Sequence, residues 1–261
     1  MGLTNRARAV LVGAGLLILG IIFQQVAILP AGIVDPAILF DIEEASRLGI
    51  MVMLPLNFIG LALAGVLYLW RTGRGWEWLD LDRPGKWDAA WVIGGTVVIL
   101  LSLIVIGVIA QMIEVEPPEQ GLMLLLEQDV VLILFMILIV WLINAPAEEF
   151  LFRNVIQKRL YADFSGISAV VITSVLFAGI HVLTFVLVGQ ELLGVMVPIL
   201  AIFIGSVVMG FAYLRTANLW VPIIIHGLYN TFQLTILLIS VVYDIDDEMV
   251  EATSVLLMSL L

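Results

Sequence analysis

Cysteine is absent from this sequence. Its absence removes disulfides, thiolate metal sites and cysteine nucleophiles together. Charge is scarce as well, at 13% of residues against 62% hydrophobic, and the mean hydropathy is +1.17. A chain this apolar reads as a polytopic membrane protein, with no stretch of globular composition left over for a soluble domain. Residues 1–261 are therefore expected to form a single membrane domain. Bases are the scarcer sign, 11 Lys and Arg against 22 Asp and Glu for a net charge of −11, and histidine occurs only twice. Internal repeats and low-complexity tracts are also lacking.

What is present is a series of long apolar runs. At about 20 residues per crossing, helices are predicted over 9–29, 48–70, 89–113, 130–146, 166–189, 192–214 and 218–243. The expected fold is all-α, a polytopic transmembrane helical bundle of about seven to eight helices. The run after Arg6 and Arg8 reads as a first span, since it is long enough to cross and lacks a small-residue cleavage pattern. Pro146 either kinks the fourth helix or opens another, and the helical pattern continues past it to about Leu160. The tail 248–261 is too short to span and is expected to lie on the surface. Residues 71–88 are turn-rich and read as a connector.

Arg6, Arg8, Arg71, Arg74, Arg83, Lys86, Lys158, Arg159 and Arg215 fall on one side of a seven-span arrangement. The positive-inside rule makes that side cytoplasmic, with the N-terminus inside and the C-terminus outside. Trp70, Trp76, Trp78, Trp87, Trp91 and Trp220 cluster at the same interface, as amphipathic rings do. Acids collect on the other side: Asp35, Asp41, Glu43, Glu44, Glu114, Glu116, Glu119, Glu127, Asp129, Glu191 and the group from Asp244 to Glu251. Such a face is first of all a solvated surface. The sharper reading is adaptation to high salt, where screening limits the self-repulsion of an acidic surface.

Ionisable groups within the spans carry the chemistry. Ala147-Glu148-Glu149-Phe150-Leu151-Phe152-Arg153-Asn154 puts two carboxylates and a guanidinium at the end of an apolar run. Phe177 and His181 are four apart on the fifth span; His226 and Asn230 are four apart on the last. Such pairs share a helix face, as do Glu149 and Arg153. Glu148 lies about 100° from Glu149, so one carboxylate can pair with Arg153 while the other meets a different neighbour. Taken singly, each feature has a plain explanation in packing, an interhelical hydrogen bond or an interfacial ion pair. Together they weigh more, because a charge at mid-helix costs about 2.5 to 3.5 kcal/mol. Several such groups are most cheaply kept if they converge on one hydrated cavity, equipped for acid–base chemistry on water. Convergence calls for the fifth helix to begin nearer Val170 or for the fourth to run on to about Leu160, since His181 otherwise lies deeper than Glu148 and His226.

Other site chemistries lack their residues. There is no HExxH helix, no nucleophile turn around Ser174 or Ser206, and no pair of intramembrane aspartates. A glutamate acting on water remains.

The order Glu148-Glu149-xxx-Arg153, Phe177-xxx-His181, His226-xxx-Asn230 resembles the CPBP family, the CAAX-protease and bacteriocin-processing (abortive-infection) membrane proteins. The lead-in Arg215-Thr216-Ala217-Asn218-Leu219-Trp220-Val221-Pro222 is similar too. The likeness covers about 140–235, within a CPBP-like core drawn at 120–235, while 1–115 supply N-terminal helices. The resemblance implies an intramembrane endopeptidase of the type II CAAX prenyl kind. Glu148 would be the base that activates water and His181 its assistant, with His226 and Asn230 on the oxyanion side. Glu149, Arg153 and Phe177 would be structural or substrate-orienting, Arg153 as a partner for a substrate carboxylate and Phe177 packed behind His181. Cofactor need divides two ways. His181, His226 and Glu148 match a catalytic zinc set, or the same residues hold water directly, and the reading leans to the second. Expected partners are membrane lipid and a peptide or lipidated protein substrate, with no nucleic acid. The alternatives are a non-catalytic immunity or scaffold protein of the same fold and a proton-coupled transporter. The transporter ranks below the other two because no inverted repeat is visible.

Overall fold

A computed structural model describes residues 4–115, 126, 129–187 and 192–243. The acids from Glu116 to Glu127, Glu191, and the acidic cluster and tail from Asp244 onward lie outside the described residues. Among those described, the long elements are all helices: α1 (Asn5–Ala27), α2 (Arg47–Arg71), α3 (Lys86–Met112), α4 (Val130–Leu160), α5 (Gly166–Leu187), α6 (Leu192–Thr216) and α7 (Trp220–Tyr243). By length and composition, six of the described helices can cross a membrane, and Gly166–Val182 adds a shorter apolar helix. The chain is an integral multi-pass membrane protein.

The helix starts follow from local chemistry. Thr4 caps α1 through Ala7 N–H and Ser46 caps α2 through Gly49 N–H, while Asp129 accepts from Val131 and Leu132 at the head of α4. Each satisfies a backbone donor that the helix leaves unpaired. One-turn helices at Ala31–Val34 and Ala37–Phe40, each opened by a proline, fold the α1–α2 connection back on itself; the hydropathy pattern left them between the predicted spans 9–29 and 48–70. Large apolar side chains such as Ile18, Ile22, Leu101 and Ile104 face outward, as lipid-facing positions do. Small residues bring helices close. A methyl group on Gly60 would lie 2.6 Å from the Phe23 carbonyl oxygen, so glycine is what lets α1 and α2 approach backbone to backbone.

α4 is the central post, packed against α1, α2, α5, α6 and α7. It does not stop at residue 146 but continues to Leu160, and the reason is visible at Pro146. The backbone widens to π-helix over Val140–Asn144 and again over Phe150–Gln157. Ala145 N–H reaches back five residues to the Val140 carbonyl. A π-turn absorbs the disruption proline brings, without ending the helix. The longer α4 also resolves the depth conflict of the sequence reading, because Glu148 then lies mid-helix rather than at a span's end. From Leu151 to Gln157 every residue is buried, so this part of α4 is enclosed on all sides.

The segment 72–85 does more than connect. It turns back as a strap over the end of the bundle where α4, α6 and α7 meet. Trp78 Nε1 donates to the Asn154 carbonyl at 3.3 Å, and Lys158 Nζ donates to the Trp78 carbonyl and to Asp80, each at 2.8 Å. Tyr213 donates its hydroxyl to Asp80. Leu219 N–H bonds the Asp80 carbonyl at 2.6 Å, and Asn218 Nδ2 bonds the Asp82 carbonyl at 3.1 Å. Asp80 thus joins three elements. Replacing it with Ala leaves the Tyr213 hydroxyl without its acceptor and Lys158 without its carboxylate, and should lower stability by about 1–3 kcal/mol, measured by thermal unfolding in detergent.

Candidate active site

Glu148 and Glu149 sit between the two π-helical stretches of α4, and both are buried, at 7% and 0% exposure. The structure divides them. Glu149 points away from the cavity: one oxygen accepts from Arg153 Nε at 2.7 Å, the other meets His226 Nδ1 at 3.0 Å. Glu148 faces a small cavity of about 20 Å³ that His181, His226, Asn230, Phe177 and Tyr229 also line, with Gly205 and Met209 of α6 across it. That is room for about one water molecule. The three motifs, carried on α4, α5 and α7, therefore meet at one place.

The residues behind the cavity fix those in front. Arg153 is fully enclosed and bonds Ser206 Oγ on α6 at 3.0 Å. Its guanidinium also lies 5.4 Å from the centre of the Phe177 ring, within cation–π range. Phe177 stacks edge-on against Phe152 at 4.7 Å and lies 4.8 Å from the His181 ring. Its carbonyl is 2.7 Å from His181 Nδ1. Both imidazoles thus have Nδ1 engaged in orienting contacts.

Two expectations need correction. The first paired Glu149 with Arg153 alone, whereas its other oxygen also takes His226 Nδ1 at 3.0 Å, because that carboxylate lies on the face of α4 turned to α7. The second offered Arg153 to a substrate carboxylate. In the structure Arg153 is sealed behind the cavity by Glu149, Ser206 and Phe177, and its charge is spent on Glu149.

One member of the site escaped the sequence reading. Asn144 Nδ2 donates to Glu148 Oε1 at 3.0 Å, and Asn144 Oδ1 accepts from Asn230 Nδ2 at 3.3 Å. This fully buried amide links the carboxylate on α4 to the amide on α7. Its signal was available: a lone amide in an apolar run, four residues before Glu148. Ser206 had no such signal, since its partner lies 53 residues away.

Zinc is a matter of ligand type and spacing. His181, His226 and Glu148 are suitable in kind, and engaged Nδ1 atoms are common among metal-ligating histidines. The spacing does not fit, because no group of three His, Asp or Glu side chains among the described residues is gathered closely enough to hold a metal ion.

Fold and site together define a class: multi-pass helical membrane proteins with carboxylate, imidazole and amide converging on a buried cavity. Residues 130–232 match the family model described as type II CAAX prenyl endopeptidase Rce1-like, a stretch that holds all three motifs. The chain is also 25% identical over 159 residues to the membrane-embedded CAAX protease MroQ of Staphylococcus aureus (strain USA300), covering 59% of this chain and 60% of that relative. It therefore spans less than two thirds of the relative's length. No solved structure matches significantly.

The buried ion pair makes a direct expectation. Arg153→Met leaves Glu149 charged and half-partnered in an apolar interior, and should cost about 3–5 kcal/mol. Adding Glu149→Gln should recover part of that loss in the same detergent unfolding assay.

Proposed function

We propose that this protein is an intramembrane endopeptidase that hydrolyses a peptide bond of a CAAX-type or related membrane substrate. The observation that carries the reading is the meeting of Glu148, His181, His226 and Asn230, from three helices, around one water-sized cavity. In this mechanism the Glu148 carboxylate takes a proton from a water held beside it, and the water oxygen attacks the peptide carbonyl carbon. Asn230 and His226 stabilise the oxyanion that forms. Glu148 then returns the proton to the leaving amine, and His181 keeps the water in line for attack. Glu149 is a positioning residue, accepting from His226 Nδ1; with the ring in its imidazolium form, which the Glu149 carboxylate balances, Nε2–H is left to donate to the oxyanion. Asn144 is another, holding Glu148 and Asn230 in register. Of the alternatives raised by the sequence, a non-catalytic protein would need no cavity in which a base, two imidazoles and an amide share one water.

Glu148→Ala should reduce cleavage of a CAAX reporter peptide, tested with and without a prenyl group, by about 10²–10⁴-fold while the variant stays folded in detergent. Asn230→Ala should cost about 10²–10³-fold, the range for removing one oxyanion donor. Full activity in Glu148→Ala would remove Glu148 as the base. If wild-type protein cleaves nothing across such a panel, the endopeptidase reading fails. Metal analysis of protein purified without added metal is expected to find less than stoichiometric zinc, and a full equivalent would replace the glutamate mechanism with a metal-assisted one.

A further inference from the structure

A second cavity, larger than the one at Glu148, lies apart from it. It has a volume of about 450 Å³, lies at the base-rich end of the bundle, and is lined by Asn5 and Arg8 of α1, Arg74 and Trp78 of the strap, and Lys158, Arg159, Ala162 and Asp163 at the end of α4. The chain has only 11 Lys and Arg, so gathering Arg8, Arg74, Lys158 and Arg159 around one space is a strong local excess. Carboxylates offset part of it: Asp163 pairs with Arg159 at 2.9 Å and Asp80 with Lys158 at 2.8 Å. Arg8 and Arg74 have no carboxylate partner among the described residues. Arg74 is held in place by neutral groups, stacked 4.1 Å over Trp78 and bonded to the Tyr68 hydroxyl at 2.9 Å. Arg8 is exposed. One held cation, Arg74, and one exposed cation, Arg8, therefore line a space large enough for a small molecule, with no carboxylate paired to either among the described residues.

A second feature says what kind of anion. Arg8, Leu11, Gly15, Ile18 and Ile22 follow one another at spacings of three and four along α1, one face of the helix, and all are exposed. Below the charged pocket this face is an apolar stripe running down the bundle's lipid-facing side. At Gly15 nothing lies within 4 Å of where a Cβ would stand, so the stripe is open at that point. A phosphate above an apolar track matches a phospholipid.

We propose that this pocket binds the headgroup of an anionic phospholipid, with Arg8 and Arg74 on the phosphate and an acyl chain along the α1 stripe. Basic pockets between helices at a membrane surface are suited to such headgroups. Trp78 belongs to both the pocket and the strap, so the bound lipid would brace the strap against the end of α4.

The test uses the full chain in mixed micelles. Retained lipid is counted by native mass spectrometry, a readout independent of stability, and thermal unfolding is followed in parallel. Phosphatidylglycerol should be retained at least fivefold more than phosphatidylcholine of the same chains, and should raise the unfolding midpoint. Arg8→Gln, at an exposed and unpaired position, should remove most of that preference. Gly15→Leu should weaken retention without touching the charges. Arg83→Gln, an exposed base outside the pocket, should leave retention unchanged. Equal retention of the two lipids, or equal losses in Arg83→Gln and Arg8→Gln, would overturn the assignment. So would a full stabilising shift from inorganic phosphate alone, or from an unlipidated peptide carboxylate where phosphatidylglycerol gives none.

Discussion

One carboxylate holds together the half of the bundle that carries the cavity. Glu149 is fully buried, with Arg153 at 2.7 Å on one oxygen and His226 at 3.0 Å on the other. A bare charge at that depth would be costly, so the neighbours are obliged to converge on it. Arg153 extends the network to Ser206 on α6 and lies over Phe177 on α5, while His226 brings in α7. Four helices are thereby tied through one ionic centre that makes no contact with the cavity itself. The residues facing the cavity inherit their positions from it.

The geometry of α4 makes this division of the glutamates workable. Adjacent residues on a regular helix point about 100° apart, enough to send Glu148 and Glu149 to different neighbours. The π-turns on either side of the pair let the helix pass Pro146 unbroken and keep it buried through Gln157. Below this the strap seals the end, with Asn154 and Lys158 of α4 bound to Trp78 and Asp80. Gln157 contributes as well, reaching the Gly210 carbonyl on α6 at 2.9 Å, a contact that a side chain at position 210 would obstruct. An enclosed polar helix of this kind is specified by partners on every side rather than by its own hydropathy.

Much of this was legible in the linear chain. Hydropathy located the long helices, because lipid demands uninterrupted apolar length. Regular i, i+4 spacing put Glu149 with Arg153, Phe177 with His181 and His226 with Asn230 on shared faces. The cost of intramembrane charge argued that the three sets meet, and they line or support one cavity. Less legible were the π-turns that carry α4 past Pro146, since proline left a kink and a new helix equally open, and the short helices 31–34 and 37–40, which are too brief to show a helical period. The strap was least legible of all, since its partners Asn154, Lys158, Tyr213 and Leu219 lie more than 70 residues away.

The sequence by itself determined the class of solvent, the all-helical fold and the faces on which the polar side chains of the spans stand, for these depend on composition and on helical periodicity alone. Only the tertiary structure decided which carboxylate faces the cavity, that His226 leans on Glu149, and that Asn144 joins the site. Those outcomes rest on the rotation and depth of one helix against its neighbours, which periodicity along a single helix does not encode.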